Sequence, residues 1–316
     1  MRKIQSRHLE NEGKRQAPDS SNILFRMKIA RYWARGTAEI VTPDGERVRG
    51  DARGWSNDSV EAAAAVARDI AKRVAARIAS GESADKQYGY GDRPLPEPVL
   101  REFRNGGDGP AAVVTRNAYG AVVLNTRDLM FIDIDKEDKP ESSGGLLAGM
   151  KSLFGKPKPE PVSAPAVSPI VTAIRQTAEQ NSLAVRVYKT AAGYRVMVVN
   201  KHMQPASGQT DALLRVFHAD ELFIRLCKTQ QSFRARLTPK PWRCNVGMPP
   251  ASFPFASPQH EKDFHDWESE YNQAVMLYAT CRFVGSFGAG APESEFSELI
   301  AFHDHESKAT SGLPLA

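Results

Sequence analysis

Cysteine is scarce in this sequence, and long apolar runs are missing. The three cysteines, Cys227, Cys244 and Cys281, are far apart and odd in number, which argues against a disulfide framework and favours a reducing compartment. No apolar run reaches the ~18 residues that a membrane span needs, and the charged N-terminal stretch lacks the apolar segment of a signal peptide. The sequence therefore predicts a cytoplasmic protein without a membrane span.

The composition is that of a globular protein with a mild basic excess. Of the 316 residues, 41% are hydrophobic and 25% are charged, which is enough for one large domain or two modest ones. The formal net charge of +5 permits a phosphate-rich partner without requiring one. Nucleotides and nucleic acids therefore remain candidate partners.

Changes in composition and periodicity divide the chain into five segments. Proline, glycine, serine and lysine dominate residues 137–168, which predicts a flexible insertion, and the charged stretch 1–21 is typical of a disordered tail. The predicted segments are the tail (1–21), a β-hairpin plus helix accessory module (22–103), a core in two pieces (110–136 and 169–245), the insertion (137–168) and a C-terminal helical extension (246–316).

The accessory module is predicted from a turn and a helical repeat. The stretch "TPDGE" lies between two strand-like runs and is typical of a hairpin turn. In the helix that follows, apolar residues recur at four-residue spacing and predict a buried stripe, formed by Val66, Ile70, Val74 and Ile78. The hairpin is basic, which fits either a sheet laid in the major groove of DNA or an accessory domain packed on the core. Its arginines are Arg35, Arg47, Arg49 and Arg53.

One patch of the insertion differs from its surroundings. The stretch "GLLAGMKSLFGK" has an apolar face if it is helical, and that face lies within Leu146–Phe154. Two interpretations stay open. The patch is either a docking peptide for a protein partner or a segment that folds back onto its own domain.

The core segments predict an α+β fold. The order is strand, helix, strand, turn, strand, helix and strand, beginning at "LMFIDID" (129–135) and ending at "SFRARLTPK" (232–240). This is the order of ferredoxin-like and RRM-like proteins, in which helices cover one face of an antiparallel sheet and the other face can stay open. We therefore expect the strand of Asp133 at the centre of the sheet, with helices starting near Ile170 and Leu213 on the opposite face.

Two carboxylates lie on one face of the first core strand. Asp133 and Asp135 are separated by one residue, so they share a face and lie roughly 7 Å apart by strand rise. Like charges this close raise each other's pKa unless a positive group lies between them. That group is either a divalent ion, Mg²⁺ or Mn²⁺, or an arginine of a neighbouring strand, for which the candidates are Arg186, Arg195 and Arg234.

Basic and hydroxyl side chains are predicted on the same open face. Phosphates on these cations, beside a metal ion on the aspartates, would use the arrangement, and Trp242 could stack on a base. The alternative is a solvated basic edge strand, because lysine and proline are frequent at sheet edges. Strand alternation places five candidate residues for nucleotide or phosphate binding on this face: Thr190, Arg195, Arg234, Arg236 and Lys240.

The order of motifs resembles the catalytic core of the archaeo-eukaryotic primase superfamily. Asp133 and Asp135 match its hDhD strand, and "TAAGYR" (Thr190–Arg195) is similar to its small-residue turn, although Arg195 stands where that family carries a histidine. The third motif, an aspartate on the last strand, is absent from "RARLTPKPWR". The resemblance covers residues 116–243 and implies a divalent metal on the two aspartates.

The altered motifs favour a divergent primase-like protein that binds a nucleotide or nucleic acid over an active primase. Metal-dependent nucleotidyl or phosphoryl chemistry at Asp133 and Asp135 is the enzymatic interpretation, and whether the protein is an enzyme stays open. The alternatives are a non-enzymatic nucleic-acid-binding protein and a protein-interaction scaffold. The dipeptide His303–Asp304 is too little for an HD phosphohydrolase. Stretches such as "YGYGDRPLPEPVLREF" also resemble a group of bacterial proteins, a resemblance that implies no activity.

Overall fold

The structure is a computed structural model in which helices alternate with antiparallel strands. The α+β prediction is therefore confirmed. None of the helices it describes is both long and apolar enough to cross a membrane. The predicted tail and the apolar patch Leu146–Phe154 lie outside the described residues, which are 27–81, 93–106, 109–135 and 168–316.

The described residues form ten strands and six helices. The strands are β1 (Tyr32–Val41), β2 (Arg47–Ser56), β3 (Val99–Phe103), β4 (Ala112–Arg116), β5 (Val122–Thr126), β6 (Met130–Asp135), β7 (Ala184–Thr190), β8 (Gly193–Val198), β9 (Phe233–Arg236) and β10 (Cys281–Gly288). The helices are α1 (Val60–Ala79), α2 (Pro169–Gln180), α3 (Gly208–Val216), α4 (Glu221–Gln230), α5 (Pro258–Val275) and α6 (Ser297–Glu306).

The N-terminal module is the predicted hairpin packed on one helix. Strands β1 and β2 pair with each other alone among the described strands, and α1 lies across them. A Cβ added to Gly54 would lie 2.3 Å from the backbone N of Ala67, so the helix approaches too closely for any larger residue. The hairpin face toward α1 is accordingly built from three glycine–alanine pairs: Ala34 with Gly54, Gly36 with Ala52, and Ala38 with Gly50.

The predicted buried stripe of α1 is wrong in three of its four members. Val66 and Ile78 are 39% and 42% exposed, Val74 is partly exposed, and only Ile70 is buried. The helix instead buries the neighbouring row of alanines, because only a methyl side chain fits against the glycine-rich hairpin. These alanines are Ala63, Ala67, Ala71 and Ala75.

The outer face of the hairpin meets the proline-rich segment near residue 254. Arg35 donates from Nε to the carbonyl oxygen of Pro254 at 2.6 Å, and Arg53 donates to the Ser252 hydroxyl at 2.9 Å. Two of the four hairpin arginines therefore contact this segment, and a third, Arg49, pairs with Asp51 within the hairpin. That part of the hairpin therefore packs on the proline-rich segment of the predicted C-terminal extension.

The remaining strands form two four-stranded antiparallel sheets rather than one. The first, which we call the β9 sheet, has the order β3-β4-β5-β9. The second, which we call the β6 sheet, has the order β10-β7-β8-β6. The two sheets are interleaved in the sequence, since β9 returns to the first sheet after β6, β7 and β8 have entered the second.

The topology differs from the predicted RRM-like sheet in its fourth strand. The order β7-β8-β6, with α2 between β6 and β7 in the chain, agrees with the first three strands of that prediction. The fourth predicted strand, β9, pairs with β5 in the other sheet, so β6 lies at an edge and the expectation of a central strand is wrong. Strand β10 completes the β6 sheet, so the C-terminal extension contains a strand as well as helices.

The face of the β6 sheet that carries Asp133 is covered rather than open. Helix α6 places His303 on it, with ring centroids 4.8 Å from Tyr188 and 5.4 Å from Phe131. His303 is fully buried. The prediction of an open face is therefore wrong, and access to Asp133 is limited to the edge of the sheet.

Helix α5 fixes the chain that follows β9. Trp267 and Tyr271 stack on each other with centroids 5.1 Å apart, and both are buried. The Tyr271 hydroxyl lies 2.8 Å from the Thr238 hydroxyl and donates to the carbonyl oxygen of Pro239. The segment after Arg236 is thereby held in a defined position beside the β6 sheet.

Candidate functional site

The predicted acidic pair lies where the edge of the β6 sheet approaches the end of β9. Asp133 on β6 is directly opposite Arg195 on β8, and Arg195 donates from Nε to Asp133 Oδ1 at 2.9 Å. The Arg195 side chain is 1% exposed, whereas that of Asp133 is 35% exposed. An arginine thus neutralises one member of the pair, which was one of the two predicted solutions.

Arg195 joins three elements of the fold. Besides Asp133, its Nη1 donates to the carbonyl oxygen of Arg236 on β9 at 2.9 Å and lies 3.5 Å from His303 Nε2 on α6. Burial lowers the pKa of Arg195, but the Asp133 carboxylate, with smaller contributions from Cys281 and Tyr188, outweighs burial and the pKa is raised overall. Arg195 is therefore charged, and its hydrogen bonds link the two sheets.

His303 and Asp304 extend this network away from Asp133. Burial lowers the pKa of His303 to about 4, so the imidazole is neutral at physiological pH. Because Arg195 can only donate, His303 Nε2 must accept, and Nδ1 then carries the proton toward Asp304 Oδ1 at 3.0 Å. Asp304 also accepts from the Tyr188 hydroxyl at 2.7 Å and from Arg186 at 2.5 Å.

His303 and Asp304 were not predicted as site residues, and the structure places them beside the predicted site. Their roles are in the buried network, since His303 has no exposed surface. Arg186 was a predicted counterion of the acidic pair, but it donates to Asp304 instead, as does Tyr188. Only the pairing of β10 with β7, which brings the C-terminal residues onto this sheet, could have shown the connection.

Asp135 and Thr190 meet at the end of the β6 sheet. Asp135 is exposed and is paired in register with Gly193, whose backbone N donates to the Thr190 hydroxyl at 3.0 Å. A Cβ on Gly193 would lie 2.0 Å from the carbonyl oxygen of Ile134, so glycine is required for this close approach. Thr190 therefore lies at the turn that follows β7, hydrogen-bonded to the residue opposite Asp135.

Arg236 lies beside this group without a hydrogen-bond acceptor. Its Nε is buried, and no residue within the described ranges accepts a hydrogen bond from its side chain. Burial, helped by the neighbouring charges of Arg195 and Arg243 and opposed by that of Asp133, lowers the pKa of Arg236 to about 10. A buried donor left unpaired costs about 1–3 kcal/mol, so this arginine reduces the stability of the ligand-free protein.

Arg243 is a neighbour that the sequence analysis did not select. It lies in a short 3-10 helix, Pro241–Cys244, where strand alternation no longer applies. Burial lowers its pKa, and the Asp135 charge opposes that effect, which places Arg243 within electrostatic reach of the acidic pair. The basic residue run "KPWRC" was the only signal for it in the sequence.

Arg234 does not share the surroundings of Arg236, although the two were predicted together. Arg234 donates to both carboxylate oxygens of Glu97, at 2.8 and 3.0 Å, and both side chains are at least 90% buried. Glu97 also accepts from the Thr115 hydroxyl at 2.6 Å. Arg234 is therefore used inside the β9 sheet, and it contributes to stability rather than to a phosphate site.

Lys240 and Trp242 form part of an aromatic surface instead of extending the row of arginines. The Lys240 ammonium lies 5.2 Å from the centre of the Trp242 ring, and Tyr119 contacts that ring edge to face at 5.4 Å. Tyr119 is 47% exposed. We call Tyr119, Lys240 and Trp242 the aromatic patch.

Metal ligands are few at this site. Among the described residues there is no group of three or more histidine, cysteine, aspartate or glutamate side chains that could hold a metal ion. Asp133 and Asp135 are thus the residues to which Mg²⁺ or Mn²⁺ could bind, and Asp133 is shared with Arg195. A hard cation with few protein ligands keeps several waters or takes oxygens from a bound phosphate.

Chemically, the site combines two carboxylates with three guanidinium groups, a set suited to holding a phosphate with or without a cation. No match to this chain was found among protein-family models, curated proteins or solved structures. The resemblance to the primase superfamily stays an interpretation of the sequence motifs. The function must therefore be inferred from the site itself.

Proposed function

We propose that this protein binds the phosphate groups of a nucleotide or nucleic acid where β6, β8 and β9 meet, as a divergent primase-like protein. The observation that carries the proposal is the charge of the cluster. Three arginines, Arg195, Arg236 and Arg243, surround only two carboxylates, and His303 is neutral. One positive charge is left over in a partly desolvated place, where an anion is attracted more strongly than at an open surface.

An enzymatic version of the proposal uses Mg²⁺ or Mn²⁺ at Asp135 and Asp133. When bound, the cation would neutralise charge on a transferring phosphoryl or nucleotidyl group. The chain's own contribution is the Arg195 guanidinium, which holds Asp133 in place from within the sheet. Because Arg195 already occupies one oxygen of Asp133, binding without catalysis is the better-supported version.

Asp135→Asn is the variant that tests this proposal. Asp133 is unsuitable, because its loss would leave Arg195 buried without a counterion. We expect ATP and a single-stranded oligonucleotide to raise the melting temperature of the wild-type protein by mass action, and Mn²⁺ to increase that shift if the enzymatic version holds. Asp135→Asn should lose the Mn²⁺-dependent part and keep the nucleotide-dependent part.

Asp266→Asn provides the matched control, since Asp266 is an exposed carboxylate on α5. It should respond to nucleotide and Mn²⁺ as the wild-type protein does. If neither ATP nor DNA nor RNA oligonucleotides change the melting temperature or bind by calorimetry, the proposed function is wrong.

A second candidate, non-enzymatic binding of single-stranded nucleic acid, is favoured by the aromatic patch. An exposed tyrosine and a half-buried tryptophan beside a lysine provide stacking and charge without a reaction centre. This candidate predicts oligonucleotide binding that weakens steeply with salt, is reduced by Trp242→Ala and is unchanged by Asp135→Asn. Fluorescence anisotropy across a sodium chloride series separates the two candidates.

A further inference from the structure

We infer that Arg236 and Arg243 form a binding site for a single tetrahedral oxyanion, such as inorganic phosphate or the end of a phosphate monoester. This deepens the proposed function, since it assigns the phosphate to two named residues, one of them outside the predicted set. Arg236 carries the inference, because its buried Nε has no acceptor anywhere in the part of the chain that the structure describes.

Asp133 is the carboxylate that acts most strongly on the pKa of Arg236, but it accepts no hydrogen bond from it. The Asp133 charge raises the pKa of Arg236, yet the Asp133 carboxylate accepts its hydrogen bond from Arg195. The carbonyl oxygen of Arg236 is also taken by Arg195. The Nε of Arg236 therefore has no acceptor within the described protein, and an oxygen of a bound anion would complete its hydrogen bonds.

Both arginines extend from rigid backbone, which is what a preformed site requires. Arg236 ends β9 and pairs in register with Val123 of β5. Arg243 lies between buried Pro241 and Cys244 in the 3-10 helix. Helix α5 holds the residues between them through Tyr271, as described above. The two guanidinium groups therefore do not need a loop to close around the ligand.

The chemistry of the two groups selects an oxyanion. A guanidinium presents parallel N–H donors that match two oxygens of a phosphate or sulfate, whereas chloride offers no such geometry. The neighbouring Asp135 disfavours a long polyanion on that side unless a cation accompanies it. A single tetrahedral group is accordingly the minimal ligand, and it should bind without a metal.

The test measures the melting temperature and calorimetric affinity for inorganic phosphate, with sodium chloride at the same ionic strength as reference. We compare the wild-type protein with Arg243→Gln, Arg236→Met and the control Arg68→Gln. Arg68 is an exposed arginine on α1 and loses the same charge. Sulfate serves as a second tetrahedral probe.

We expect a saturable rise in melting temperature with phosphate and sulfate in the wild-type and Arg68→Gln proteins. Arg243→Gln and Arg236→Met should each weaken phosphate binding by about 10- to 100-fold, as expected for the loss of a charge-assisted hydrogen bond. If the melting temperatures of all four proteins rise equally, the rise is a general salt effect and the inference is overturned. The inference is also overturned if phosphate does not change the melting temperature of the wild-type protein.

The inference and the proposed function fail in different ways. Phosphate binding that depends on Arg236 and Arg243, with no binding of nucleotides or oligonucleotides, would retain the oxyanion site and refute the function. Nucleotide binding that is unchanged in Arg243→Gln and Arg236→Met would retain the function and refute the oxyanion site.

Discussion

Arg234 and Arg236 lie two residues apart on strand β9, and their surroundings are opposite. Arg234 is clamped by both oxygens of Glu97 inside the β9 sheet. Arg236, at the side of the β6 sheet, has a buried Nε and no acceptor among the described residues. Both positions are equally basic in the sequence, so the difference arises from what the tertiary fold places beside each guanidinium.

This contrast separates an arginine that stabilises the fold from one that is available to a ligand. A buried ion pair with complete hydrogen bonds is destabilised strongly when one partner is removed. A buried donor without a partner has the reverse property, since its removal relieves a cost. The following four expectations test this contrast, in order of decreasing effect.

The largest effect is expected from Glu97→Gln. It leaves the Arg234 charge buried without a counterion and should lower the free energy of unfolding by about 3–5 kcal/mol. Urea denaturation at pH 7 measures the loss. The double variant Glu97→Gln, Arg234→Met should recover part of it, because no unpaired charge is left. A single variant as stable as the wild-type protein would mean that Arg234 is not clamped as described.

The next effect is the pH dependence of His303. The pKa of this imidazole is about 4 in the folded protein, against 6.5 for an ordinary histidine side chain. Between these two pH values the unfolded chain therefore binds a proton that the folded protein does not. Stability is therefore fully present above pH 6.5 and is lost as the pH falls toward 4, by roughly 3 kcal/mol at 1.36 kcal/mol per pKa unit. Urea midpoints across this range measure the loss.

His303→Gln is the control for that titration, since glutamine offers polar atoms without a proton-binding site in this range. Its stability should fall less steeply between pH 6.5 and 4 than that of the wild-type protein. Identical slopes for the two proteins would assign the pH dependence to other groups.

A smaller effect is expected from Asp133→Asn. The variant removes the counterion of Arg195 and should lower the free energy of unfolding by about 1–3 kcal/mol. The loss is smaller than for Glu97→Gln, because the Asp133 side chain is 35% exposed and water can replace part of its contact. Asp135→Asn is the matched comparison and should leave stability within about 0.5 kcal/mol of the wild-type value. Chemical denaturation of both variants measures the difference in their free energies of unfolding.

The smallest effect has the opposite sign. Arg236→Met should raise the free energy of unfolding of the phosphate-free protein by about 1 kcal/mol, because it removes an unpaired buried donor and keeps the apolar stem. Thermal unfolding in a phosphate-free buffer is the measurement. A destabilised Arg236→Met protein would show that this arginine has structural contacts comparable to those of Arg234.

Local sequence patterns predicted the parts of the site that depend on neighbouring residues. Alternation placed Asp133 and Asp135 on one face, and Arg195 was among the arginines expected to neutralise them. The turn that holds Thr190 was also predicted. All of these follow from the period of a strand and from a short hairpin, which are properties of a few consecutive residues.

Pairings between distant segments were beyond the reach of those patterns. Strand β9 was assigned to the wrong sheet, because nothing in "SFRARL" indicates β5 as its partner. Strand β10 lies in the predicted helical extension (246–316), since no glycine or proline separates it from α5. Glu97 lay unnoticed in a proline-rich stretch, so the counterion of Arg234 was missed.

Which face of α1 is buried also could not be predicted from local sequence patterns. In α1, both the valine–isoleucine row and the alanine row repeat every four residues, and hydrophobicity alone favours the larger side chains. The alanines are buried because Gly36, Gly50 and Gly54 leave space only for a methyl group. The hairpin glycines indicate that small side chains of the helix face them, but this could be used only once it was known that α1 packs on the hairpin.

The interleaving of the two sheets has a consequence for how the chain reaches its native state during synthesis. Strand β5 leaves the ribosome long before its partner β9, and β7 long before β10. Strands β5 and β7 therefore keep an unpaired edge until the later strands have been synthesised. Such long-range pairings make folding slow. Newly made chains would therefore depend on protection from edge-to-edge association until β10 has emerged.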